Sequence, residues 1–452
     1  MQLRFPPLTV PGLTLVLPLM LLGLAGCATD ARLPLQPIVD ALLEAPVLHP
    51  DAVGEAIDLG KPLTPRALAV IAVIANPDLR AARAQAKVAD AQVIAAGLLP
   101  DPTVNLSYDR RLSGPDPFDG LGAQVIYELT ALRDRRLALG AARATRDQVR
   151  LDLEWSEWQT AGQARLLATR IAGLERVRSL LALSGRASDG ALDRGLAAAA
   201  RGDIRADEVS ARRLAASDAS DKVRQAERDL NAARLDLNAL LGEPPSARLV
   251  IDADPASEPA LDADAFFARA RVSRLDLRAL EAGYRSQEVA VRKAIWDAFP
   301  TLQLTVNRAR DTANNQTLGP AVNFTLPIWN RNLGGIAAAR ATRAQLAAEY
   351  AARVFALRAQ ISDLCQALTI DRRRRAELVA QIGPLDRIAA RNEQAAAIGD
   401  LSRAAAETVG LSVRDKAIAL AMLDQSIAEQ TVALELAVGA PGQGLNLPRT
   451  AP

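Results

Sequence analysis

The feature that most constrains this chain is that it repeats itself once. The hexapeptide Ala-Ala-Arg-Ala-Thr-Arg stands at 141–146 and returns at 338–343, 197 positions later. Arg201-Gly202-Asp203-Ile204 is matched by Ile398-Gly399-Asp400-Leu401 at the same offset, and Leu241-Gly242 by Val438-Gly439. Upstream, Asp78-Leu79-Arg80 pairs with Asp276-Leu277-Arg278, and Pro100 with Pro300, so a short indel near the loop after each proline explains the drift. Each unit is far longer than the repeats of solenoids, which run to about 20–50 residues. A chain of this kind must build two similar halves.

Both copies carry the same order of signals. A helix is expected first, over Pro65–Leu98 and about Phe266–Ala298, with Ala, Leu and Val at helical spacing. A proline stops it and an alternating strand follows. In Thr103–Arg110, Val104, Leu106 and Tyr108 alternate with Asn105, Ser107 and Asp109; in Leu302–Arg308, Leu302, Leu304 and Val306 alternate with Gln303, Thr305 and Asn307. Turn-rich segments precede return strands at Ala123–Leu129 and Ala321–Leu326. A long helix then begins near Arg133 and near Leu333. It reaches the Gly-Asp pairs at 202 and 399, and a second helix returns to Gly242 and Gly439. At 1.5 Å per residue the stretch from Arg133 to Arg201 would span roughly 100 Å, too long for a globular domain. Gly185, Gly190 and Gly195 predict a bend in it, and Asp203 and Asp400 are expected to cap the returning helices.

The strands read as a wall with one apolar and one polar face, Leu304 and Phe324 on the first and Thr305 and Thr325 on the second. Four strands are too few to close a barrel, so such a wall would be shared between chains. The fold class is therefore mainly α with a small β part: long helices forming an α-barrel, plus four transmembrane β-strands per chain. Trp296, Phe299, Phe324 and Trp329 fall near the strand ends, where membrane-interface aromatics sit.

Composition agrees and removes most chemistry. Apolar residues make up 50% of the chain but aromatics only 3%, which suits close-packed helices rather than a thick core. The one histidine, His49, and the two cysteines, Cys27 and Cys365, allow no metal-ligand spacing and no Cys–His nucleophile. No catalytic residue, metal or cofactor is expected. A net charge of +2 without a basic block argues against a nucleic-acid partner. Cys365, within the helical run Arg353–Ile370, reads as a small packed residue.

Met1–Gly26 reads as a signal peptide, with apolar Leu13–Leu24 after Arg4. Leu24-Ala25-Gly26-Cys27 resembles the lipobox of bacterial lipoproteins, which makes Cys27 the expected lipidation site. Ala28 after it is not the aspartate typical of inner-membrane retention, and that resemblance implies the outer membrane.

The duplicated order of helix, two strands, long helix, tip and returning helix, behind a lipobox, resembles the TolC-like outer-membrane efflux family. Asn76-Pro77-Asp78-Leu79, the two Gly-Asp tips, Leu237–Gly242 and the run Phe324–Asn332 carry the likeness over nearly the whole mature chain. The Leu-Pro-Ile-Trp-Asn-Arg-Asn part of that run looks most like the branch serving heavy-metal efflux pumps. The resemblance implies a homotrimer and a passive exit channel for metal ions or small toxic compounds. It also implies a periplasmic adaptor protein and an inner-membrane pump as partners, outer-membrane lipid around the strands, and no enzyme activity. It places adaptor-docking tips at Arg201, Gly202, Asp203 and Ile204 and at Ile398, Gly399, Asp400 and Leu401. Pore-lining acids are sought just beyond: Asp207, Glu208 and Glu407 are the candidates, while Ala405 and Thr408 stand where the family often has an acid in its second tip. The organisation expected is a signal peptide at 1–26, an anchored segment at 27–63, a first repeat at 64–245 and a linker at 246–264. A second repeat at 265–440 and a tail at 441–452 complete it. A periplasmic coiled-coil adaptor or scaffold lipoprotein is the alternative reading, since it too uses long Ala-rich hairpins.

Overall fold

The structure is a computed structural model that describes residues 61–252 and 258–439. The signal peptide, Cys27, His49 and the tail at 441–452 lie outside the described residues. Within them the element order is α1 (Pro65–Ala75), α2 (Pro77–Gly97), β1 (Thr103–Asp109), β2 (Gly120–Glu128), α3 (Thr130–Ala200) and α4 (Ala206–Leu241). The second copy gives α5 (Ala263–Ser273), α6 (Leu275–Trp296), β3 (Leu302–Arg310), β4 (Gln316–Phe324), α7 (Leu333–Ile398) and α8 (Arg403–Val438). The duplication is thus visible element by element.

The helix expected over Pro65–Leu98 is two helices. Pro77 disfavours helical backbone at the residue before it, so Asn76 turns extended, and its Oδ1 accepts the Leu79 amide at 2.9 Å to start α2. The second copy breaks at the matching place without a proline. Arg274 is extended there and buried, and its guanidinium grips Asp276 through both oxygens at 2.8 and 2.6 Å. Both breaks do the same job. Asn76 Nδ2 donates to the Leu240 carbonyl at 2.8 Å, and Arg274 Nη1 donates to the Ala437 carbonyl at 3.0 Å, each just ahead of a left-handed C-cap glycine. A carbonyl left over at a helix end is satisfied in each copy, by an amide in one and a guanidinium in the other.

The expected bend in the first long helix is not there. α3 runs unbroken for 71 residues, about 107 Å of helix, and α7 for 66, passing through Pro384. Glycine weakens a helix but does not break one held along its length by packing. Gly162 and Gly173 instead let neighbours close in: a β-carbon on Gly162 would fall 1.8 Å from Leu436 Cδ2, and one on Gly173 2.4 Å from Gln425 Cγ. These two positions set the approach of α8 to α3.

Three larger apolar clusters among the described residues hold the helices, beside a small contact of Ala69 and Val73 with Ala161. Leu68, Ile71, Leu167, Ile171, Leu230 and Leu237 join α1, α3 and α4. Leu277, Leu357, Ile361, Leu368, Leu423 and Leu434 do the same for the second copy, with Cys365 among them. Burial, and then the Asp262 carboxylate, push the Cys365 thiol above its ordinary pKa, which keeps it protonated and inert. The third cluster is Val177, Leu181 and Ala226 against Ile418 and Ala421, and it bonds the two copies to each other through α3 and α8.

Candidate functional site

The four strands form one antiparallel sheet in the order β1-β2-β3-β4, and β2 pairs with β3 across the copies. Residues directly opposite one another share a face. Register therefore sorts the side chains: Val104, Val125, Val306 and Pro320 fall in one row and Tyr127, Leu304 and Val322 in the next, all on one face. The row Asn105, Gln124, Asn307 and Gly319 lies on the other. Among the described residues the apolar face is uncovered, with Leu106 75% and Leu318 74% exposed in a row they share with Arg308. Among the described residues both edges, β1 and β4, are unpaired.

Two strand boundaries differ from expectation. β2 starts at Gly120 and β4 at Gln316, earlier than the expected Ala123 and Ala321, and Gly319 and Pro320 lie inside the edge strand β4. An edge tolerates a missing N–H. Thr305 is a further correction to a simple wet face: it is 2% exposed, and its hydroxyl accepts Asn323 Nδ2 at 3.1 Å.

Sheet and helices meet in a defined joint. Thr130, the first residue of α3, is buried; its Oγ1 accepts the Leu302 amide at 2.6 Å, while the Leu129 amide donates to the Leu302 carbonyl at 2.9 Å. Trp296 and Phe299 pack with ring centroids 5.3 Å apart, and the Arg133 guanidinium lies 5.6 Å over Trp296. Trp329 is 92% exposed and Phe324 58%. Of the four aromatics named from sequence, Trp296 and Phe299 pack together at this joint.

At the opposite end of the helices lie the two turns. Gly202 and Gly399 adopt φ of +80° and +88°, a region that costs glycine nothing and other residues much. The Asp203 amide bonds the Ala198 carbonyl and the Asp400 amide the Ala395 carbonyl, each at 2.9 Å, the six-to-one closure of a Schellman cap. The aspartates do not cap the returning helices. α8 is capped by Ser402, whose hydroxyl accepts the Ala405 amide at 3.2 Å, and α4 starts at Arg205 with no side-chain cap. Asp203 faces back instead and pairs with Arg201 at 2.9 Å. Arg201, Ile398 and both glycines are exposed; Ile204 and Leu401 are half-buried.

The candidate acids part company. Asp207 pairs with Arg205 on the surface and Glu208 is exposed. Glu407 is held between helices: Arg194 of α3 takes one oxygen at 2.8 Å and Arg212 of α4 the other at 3.0 Å, leaving 14% of its side chain exposed. Sequence reasoning had no signal for that clamp, because its arginines lie 213 and 195 positions away. Among the described residues no group of three or more His, Cys, Asp or Glu could hold a metal ion, and no helix is long and apolar enough to cross a membrane.

This architecture has close counterparts among solved structures. The outer membrane channel CmeC of Campylobacter jejuni superposes with a TM-score of 0.70 at 15% identity, over 91% of this chain and 94% of that one. CusC, solved in a study of folding and transmembrane channel formation, gives 0.68 at 15% over 92% and 100%. The open-state MtrE outer membrane channel of Neisseria gonorrhoeae gives 0.66 at 19% over 83% and 88%. The fold is the TolC-like fold. No family model matches the sequence, and no curated protein does. The TolC-like likeness thus rests on shape, carried by a sequence that has diverged from those channels at more than four positions in five.

Proposed function

We propose that the chain is one protomer of a trimeric outer-membrane exit channel, a passive conduit for metal ions or small toxic compounds driven by an inner-membrane pump. The observation that carries this reading is the open sheet: two hairpins fused edge to edge, apolar on one face and polar on the other, set on helices of about 100 Å. A sheet with two free edges and an exposed apolar face is unstable alone in water. Copies of itself can take the edges, and lipid the face. Three chains would supply twelve strands, enough for a wall around an aqueous lumen. A coiled-coil adaptor is disfavoured, since both strand pairs join a single sheet instead of forming compact domains around one hairpin.

The test is reconstitution. Purified protein should run as a heat-modifiable trimer and conduct ions in planar bilayers. A monomer that conducts nothing would end the proposal.

In this reading Cys27 carries the lipid anchor, and several acyl chains at ~0.8 kcal/mol per buried CH₂ hold it firmly. Cys27→Ser should remove lipid attachment altogether, scored by incorporation of labelled palmitate; label retained at the wild-type level would refute the anchor.

The Schellman-capped turns are then the adaptor-docking tips. Bulky residues placed together at Arg201, Ile204, Ile398 and Leu401, with the glycines spared, should leave trimers and conductance intact while export in cells is lost. Unimpaired export would mean that the adaptor meets another surface.

A further inference from the structure

A cavity of about 450 Å³ lies between α3, α7 and α8, a few turns above the tips. Its chemistry is set by four arginines against two glutamates. Arg194 is neutralised by Glu407 at 2.8 Å and Arg403 by Glu393 at 3.3 Å. That leaves Arg186 on α3 and Arg414 on α8 lining the same space, and among the described residues neither has a hydrogen-bond or ion-pair partner. Arg414 Nε is moreover buried from solvent with nothing to donate to. An orphaned buried donor on a charged group is costly, and native structures seldom leave one without a ligand or an acceptor.

Arg186 is exposed and Arg414 half-buried, and two of the lining arginines, Arg194 and Arg414, lie back along their own helices. On α3 a glycine precedes an arginine by one turn, Gly190 and Arg194, and on α8 the same spacing recurs as Gly410 and Arg414. A β-carbon on Gly190 would stand 3.2 Å from Arg194 Nη1, and one on Gly410 3.3 Å from Arg414 Nη2. Each of these two guanidiniums lies close along its own helix, where a β-carbon in place of the glycine would press it outward by a few tenths of an ångström. Small residues, Ala187, Ala390 and Ala406 among them, keep the rest of the cavity open.

We propose that this cavity binds a small oxyanion of two or more charges, held between Arg186 and Arg414. Planar guanidinium forks match carboxylate and phosphate oxygens, and such charge-assisted bonds are the strong ones. Bound there, the anion bridges α3 to α8 beside the wall supplied by α7, so it braces the helices just above the tips. The inference does not depend on the chain conducting anything.

Titration of the purified full-length protein with citrate, and separately with inorganic phosphate, tests it by calorimetry against sodium chloride at matched ionic strength. Saturable binding of at least one oxyanion is expected. Arg186→Gln with Arg414→Gln should weaken it at least about tenfold, the equivalent of one strong contact, with helix content and oligomeric state unchanged. Gly410→Val keeps every charge but evicts the Arg414 head group, and it should weaken binding by a similar factor. Heat equal to that of chloride overturns the proposal. So does undiminished affinity in the double variant, or in Gly410→Val, since either reduces the effect to general screening. Binding of a glutamate-rich peptide but of neither small anion also overturns it, and assigns the cavity to a protein partner.

Discussion

Leu304→Arg is expected to abolish stable insertion, while Asn307→Arg, three residues along the same strand, leaves it nearly intact. Leu304 stands in the apolar row with Tyr127 and Val322, Asn307 in the polar row with Gln124 and Gly319. An arginine on the lipid side of a barrel near the midplane costs about 2–4 kcal/mol per site, paid three times over in a trimer, and on the lumen side little. Thr305 is a poor control despite its polar face, because it is buried and bonded to Asn323. The measurement is the yield of heat-modifiable trimer in outer membranes. Equal yields from the two variants would mean that the sheet does not stand in lipid with its apolar row outward.

Arg274→Ala should destabilise the second copy by about 3–5 kcal/mol, the cost of stranding one partner of a buried ion pair. The Arg274 and Asp276 side chains are only 7% and 9% exposed, and the guanidinium also bonds the Ala437 carbonyl and lies 4.4 Å over the Trp155 ring. Arg150→Ala is the contrast: its partner Asp90 is 2.9 Å away, but both side chains are 40% exposed or more, and such pairs contribute under about 1 kcal/mol. Urea unfolding of the purified protein, followed by tryptophan fluorescence, reads both. A shift for Arg274→Ala no larger than that for Arg150→Ala would show that the Arg274 site is braced by packing alone.

What the sequence made legible was whatever has a period or a copy. The strands could be read because a sheet with unlike faces alternates with a period of two, and the halves because the tip and cap glycines recur at one offset. What it hid was held by distant residues. The break at Pro77 carries a local cue, whereas the break at Arg274 exists because of Asp276 and a carbonyl at 437. Gly185, Gly190 and Gly195 suggested a bend, since nothing local announces that Arg212 of α4 lies against α3, 2.7 Å from where a β-carbon on Gly195 would stand. Aspartate after each tip glycine suggested a cap, but the closing turn consumes two further residues before the next helix starts, at Arg205 and Ser402. The α3–α4–α8 clamp around Glu407 was invisible for the same reason: its charges converge only after two chain reversals.

The β2–β3 seam bears on when the sheet can form. Gln124 meets Asn307 there, so the sheet cannot exist until nearly three quarters of the chain has been made. A lone β1–β2 hairpin is marginal in water, and its few apolar side chains are a weak cue for any bilayer met on the way. The first copy's cluster is complete by Leu241 and can condense before β3 is made, whereas the second copy's cluster needs residues as far as Val438. The seam thus delays the sheet: its continuous apolar face cannot form while only the first copy exists, and it waits on a pairing between residues far apart in the chain.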